Sequence, residues 1–108
     1  MFEGLYKVEF ETPRRKSVGV IHAQNGLLRG GNSAFAYFGT FTQVGDTITG
    51  VVSSRRHTND PNHPSVFGLD QVTIHCEGAA KGPFATFEGT AVEAPALKFK
   101  ALLTRVSE

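Results

Sequence analysis

Tryptophan is absent from this chain of 108 residues, and cysteine and methionine occur once each. A single Cys76 excludes an internal disulfide and any site built from several thiolates, which fits a reducing compartment. No apolar run approaches the roughly 18 residues that a membrane-spanning helix needs, so no membrane span is expected. The N-terminus lacks a basic segment followed by an apolar one, so no secretory signal is expected and the cytoplasm is the expected location. A strong charge of either sign is missing too: the net charge is +1, and charged residues make up only 19% of the chain. The basic clusters are Arg14-Arg15-Lys16 and Arg55-Arg56, too little for the basic face that electrostatic nucleic-acid binding requires. Direct nucleic-acid binding is therefore not expected.

Helical periodicity is also lacking. Apolar residues alternate with period two along nearly the whole chain, and no window longer than about ten residues holds helical spacing. The expectation is one all-β domain over residues 1–108, long enough to bury a core without staples. A first strand over Gly4–Thr12 turns Tyr6, Val8 and Phe10 inward and Lys7, Glu9 and Glu11 outward. Pro13-Arg14-Arg15 is read as a turn, followed by a strand over Lys16–Ala23. Asn25-Gly26 is the strongest short hairpin signal, and it leads to a brief third strand over Leu27–Gly30.

The fourth strand, Ser33–Gln43, puts Phe35, Tyr37, Gly39 and Phe41 on one face and Ala34, Ala36, Phe38 and Thr40 on the other. Gly45-Asp46 turns it into a fifth strand reaching about Thr58. Asn59–Ser65 is too rich in Pro, Asn and Asp for regular structure and forms the longest loop, which a short helical turn over Val66–Leu69 can close. Strands six to eight fall near Gln71–Gly78, Phe84–Ala91 and Leu97–Val106. Eight short antiparallel strands can close on themselves and remove their exposed edges. Sequential hairpins, with curvature glycines at Gly19, Gly39, Gly50 and Gly89, favour an up-and-down barrel over a two-sheet sandwich.

The run from Gly4-Leu5-Tyr6 through Asn25-Gly26, Gly30-Gly31, Tyr37-Phe38-Gly39, Arg56-His57 and Pro64-Ser65-Val66 to Leu69-Asp70 resembles the GrlR-like family. These are small bacterial proteins named after a negative regulator of type III secretion. The resemblance implies an eight-stranded lipocalin-like barrel with an apolar interior, a homodimer, and a protein client that is a transcriptional regulator. One departure stands out. In the founding member the turn after the fourth strand carries an acidic run that contributes to client binding, whereas this chain has Val44-Gly45-Asp46-Thr47.

The candidate sites divide into an interior, a mouth and an outer face. Inside, Tyr6, Phe10, Phe35, Tyr37, Phe41, Phe87 and Phe99 either fill the barrel or line a cavity for one small apolar ligand. Arg55 and Arg56, beside the long loop, can hold a carboxylate or phosphate, or else form a solvated rim that pairs with Asp60 and Asp70. Outside, Phe38 among Ala34, Ala36 and Thr40 makes a candidate dimer seam.

No catalytic constellation emerges. His57, Asp60 and His63 share the long loop, but their spacing matches no recognised ligand set, and solvated side chains explain them as well as a weak divalent-metal site does. His75 points away from the face of Cys76, so the two cannot form a nucleophile and base dyad. Gly30-Gly31 has neither the lysine nor the following helix of a phosphate cradle. The expectation is a non-enzymatic regulatory or binding module without cofactor or metal. The alternative is a carrier or sensor of a small apolar or anionic ligand.

Overall fold

Every strand pairs antiparallel with its neighbour in sequence, and the last pairs with the first, so the sheet has no free edge. The computed structural model describes residues 1–108 as an eight-stranded up-and-down barrel: β1 Gly4–Thr12, β2 Arg15–Gln24, β3 Leu27–Gly31, β4 Phe35–Val44, β5 Thr47–Arg56, β6 Gln71–Lys81, β7 Phe84–Ala91 and β8 Ala94–Ser107. The sandwich alternative is excluded by this closure. Asn25 and Gly26 both adopt positive φ (53° and 78°), the conformation whose twist matches the strands of a two-residue hairpin.

Curvature is built from missing side chains. A Cβ on Gly39 would run into the Val51 carbonyl oxygen, and one on Gly89 into that of His75. At both positions a neighbouring backbone takes the space, which allows so small a barrel to close.

Several boundaries differ from expectation for identifiable reasons. β4 starts at Phe35 because the Asn32 side-chain oxygen accepts hydrogen bonds from the amides of Ala34 (2.9 Å) and Phe35 (2.8 Å), which holds the approach outside the ladder. β6 continues to Lys81, leaving Gly82-Pro83 as the turn into β7. β8 begins at Ala94 and includes Pro95. Its register steps from Ala94 opposite Ala91 to Lys98 opposite Thr90, so the surplus residues bulge where a proline costs no ladder hydrogen bond. Val66–Leu69 is not helical; the Gly68 amide donates to the Ser65 carbonyl at 3.2 Å in a single turn.

Both ends of the barrel are stoppered by residues outside the strands. At the end holding the turns after β2, β4 and β6, Phe2 is 1% exposed and packs on Tyr6, Phe41 and Phe87, with centroid separations of 4.8, 5.1 and 5.7 Å. Its amide donates to Gln43 Oε1 at 2.7 Å. At the other end Val66 and Phe67 of the β5–β6 connection are each 4% exposed and belong to the same core cluster as the strand residues.

Candidate functional site

The interior holds the aromatic residues that alternation sends there. Tyr6, Phe35, Tyr37, Phe41, Phe87 and Phe99 are buried, and half-buried Phe10 packs against them. Phe10 stands edge-on to Tyr37 (5.7 Å, 89°) and tilted against Phe99 (6.0 Å), within the range in which aromatic quadrupoles attract. Each buried phenol is satisfied. Asn32 Nδ2 donates to the Tyr37 hydroxyl at 2.9 Å, and the Tyr6 hydroxyl donates to the Glu3 carbonyl at 3.4 Å. Burial raises both phenol pKa values above the ordinary tyrosine value, so neither group is a base.

A cavity of about 90 Å³ remains among these side chains, bordered by Phe35, Ile74 and Phe99 from the wall and by Val66 and Phe67 from the loop. It is smaller than an apolar cavity of about 150 Å³ that takes benzene. It also falls below the roughly 300 Å³ at which small-molecule pockets begin. The barrel is thus mostly filled by its own residues, with space left against the loop.

The mouth is organised around the connection from His57 to Asp70. Arg56 closes its base: Nε donates to Asp70 Oδ1 at 2.7 Å, Nη1 donates to the Thr58 carbonyl at 3.2 Å, and the guanidinium lies 4.5 Å from the centre of the Phe35 ring. Arg56 is therefore spoken for by Asp70, one of the two acidic partners the sequence offers it. Arg55 requires a correction. As the neighbour of an inward residue in a pleated strand it points out to solvent, not into the mouth, so the two arginines do not converge.

The three loop residues considered as metal ligands are held apart by separate partners. His57 Nε2 meets the Asn32 carbonyl at 3.1 Å, the Ser33 hydroxyl donates to Asp60, and His63 Nδ1 lies 3.3 Å from Ser17 Oγ. No group of three or more His, Cys, Asp or Glu side chains is assembled anywhere in the structure. The Ser33 hydroxyl, followed by the Asn62 amide, holds the Asp60 carboxyl below the usual range. His75 is exposed while Cys76 is half-buried on the opposite face of β6. Burial pushes the Cys76 thiol up to about 11, so its nucleophilic thiolate is scarce near neutrality.

On the outside, Phe38 is 41% exposed at the centre of a partly apolar face. Its cross-strand neighbours are Arg29 on β3 and Ser53 on β5. One adjoining row runs Leu27, Thr40, Val51, and the other runs Val20, Gly31, Ala36. Val20, Leu27 and Val51 are exposed, and Gly31 leaves a gap in the face between Val20 and Ala36. Ala34 does not belong to this face. It lies before β4 and is fully buried, with its carbonyl accepting the amides of His57 (2.8 Å) and Thr58 (3.3 Å).

Three residues of the stoppered barrel escaped the sequence reading: Phe2, Val66 and Phe67. Phe2 carries a readable signal, because it continues the even-numbered inward set of Tyr6, Val8 and Phe10 across Gly4. Val66 and Phe67 lie outside any alternation and fold inward only because the long connection crosses the barrel mouth.

No family model matches this chain, and no curated protein matches it. The closed eight-stranded antiparallel barrel fits a lipocalin-like binding fold in general terms.

Proposed function

We propose that the protein is a cytoplasmic, non-enzymatic regulatory or binding module that works through protein–protein contact as a homodimer. The observation that carries this reading is the position of Phe38. A large aromatic ring lies on the outer face of a barrel whose interior is mostly filled by its own residues, with Leu27 and Val51 in one adjoining row and Val20 in the other. A closed sheet offers no edge for strand addition, so a partner must be recognised by side chains on a face or at an end. Faces with exposed aromatic and aliphatic residues are where such contacts concentrate.

The GrlR-like resemblance supports the same reading and supplies the client class, a transcriptional regulator. The Val44–Thr47 turn carries one acidic residue, Asp46, so client binding here rests not on an acidic run but on the dimer that the Phe38 face forms. Affinity capture from the host at mild salt, run in parallel with wild-type and Phe38→Asp protein, tests this. A protein retained by wild type and lost from the variant supports the reading, and identical captures by both overturn it.

A second reading, a carrier or sensor of a small apolar ligand, is favoured by the residual apolar cavity beneath Val66 and Phe67.

A further inference from the structure

We propose that the segment Pro61–Leu69 is a displaceable plug, and that Phe67 occupies the seat of a compact, flat apolar ligand which stacks on Phe99. The inference rests on the ligand-binding reading and adds to it where the ligand sits and what must move.

The attachment of this segment is asymmetric. Its two ends are pinned by backbone hydrogen bonds, from the Arg56 amide to Asp70 (2.8 Å) and from the His57 amide to Ala34 (2.8 Å). Between them, the backbone–backbone bonds that Pro61–Leu69 makes are His63 to Asp60 and Gly68 to Ser65, both local. Two side-chain hydrogen bonds tie the segment to the wall, from the Thr12 hydroxyl to the Val66 carbonyl and between Ser17 Oγ and His63 Nδ1, and the Arg14 guanidinium lies against Gly68. Strands whose backbone is ladder-bonded on both sides open at a cost near that of global unfolding, whereas a segment held by side-chain packing and two side-chain hydrogen bonds opens locally.

The plug is also the right shape for what it displaces. Phe67 and Phe99 are stacked, with centroids 5.9 Å apart and planes 15° from parallel. When Phe67 leaves, its volume adds to the 90 Å³ already empty beside it, and a flat apolar face is uncovered. The void alone is too small for an aromatic ring, so uptake and plug displacement are one event. Ser17 and Ser54 on the wall border the same space and offer hydroxyls to one polar substituent near the mouth.

Toluene is the probe. Its binding to the wild-type chain is measured by headspace partitioning. Because the chain has no tryptophan, Phe67→Trp and Phe2→Trp each place a sole indole at one end of the barrel. The expected result is binding by wild type, with a toluene-induced red shift of emission in Phe67→Trp and none in Phe2→Trp. Phe67→Ala, which no longer has a plug to displace, should bind at least about tenfold more tightly. Should Phe67→Trp fail to fold, the Val66 methyl resonances of the unsubstituted chain report the same displacement. Binding with a stationary Phe67 indole and stationary Val66 methyls, or a shift confined to the Phe2 end, overturns the plug while leaving the ligand-binding reading intact. Binding by Phe67→Ala alone would mark an artificial hole and also overturns the plug. Failure of both chains to bind removes the ligand-binding reading with it.

Discussion

Phe67 stacks on Phe99 at 5.9 Å although the two belong to a loop and a strand 32 positions apart. The contact makes the β5–β6 connection part of the core: a segment whose composition reads as solvated loop ends in an apolar pair that closes the barrel. Removing this ring separates the two roles of the connection, as cover and as core.

Phe67→Ala should lower stability by about 3 kcal/mol, the loss expected when a buried aromatic is truncated and the site does not collapse. Urea denaturation measures it. A change under about 1 kcal/mol would mean that the connection contributes little to the core.

Thr12→Val should keep the barrel but loosen its cover. The valine fills similar space, while the Val66 carbonyl loses its hydrogen bond, a change of about 1–3 kcal/mol for a buried group left unpaired. Amide hydrogen exchange should quicken at Ser65–Leu69 and stay unchanged in β4 and β5. Uniform acceleration across all strands would contradict a local tether.

Acid should release the connection at Asp60. This carboxylate is held below its ordinary value of 3.8 by Ser33 and the Asn62 amide, so it favours the folded state whenever it is ionised. Its contribution is complete above the unfolded value and disappears as pH falls through the lower folded value. Asp60→Asn should flatten that part of the acid titration of stability, as followed by circular dichroism. An unaltered profile would remove Asp60 from the account.

Cys76 should resist alkylation. With the thiol raised to about 11 from 9.0, the folded protein at pH 8 should react with iodoacetamide about a hundredfold more slowly than the urea-unfolded chain. The same shift stabilises the fold fully below pH 9.0, and that contribution is lost as pH rises towards 11. Equal rates in the two states would show that the Cys76 side of β6 is open to solvent.

The strands were legible because their signals are local. Asn25-Gly26 and Gly45-Asp46 mark hairpins, and period-two alternation placed Tyr6, Phe35, Tyr37, Phe41, Phe87 and Phe99 inward, where they lie. Alternation failed where the chain leaves the ladder. Alternation alone puts Ala34 on the outer face with Ala36 and Phe38, but it precedes the first paired residue of β4, and Asn32 turns it under the β5–β6 connection. Arg55 and Arg56 read as a pair at the mouth, yet successive strand residues point to opposite faces, and Arg56 alone reaches Asp70. Val66 and Phe67 were hidden for another reason: their burial depends on where a long connection crosses a barrel that exists only after closure.

Sedimentation equilibrium of wild-type and Phe38→Asp protein tests the central claim most directly. Burying Phe38 between two copies requires that a charge there go unpaired in the seam, while the same charge on a free outer face is harmless. The account predicts a wild-type dimer and a folded Phe38→Asp monomer with an unchanged circular dichroism spectrum. A monomeric wild type, or a Phe38→Asp dimer as tight as wild type, would contradict it.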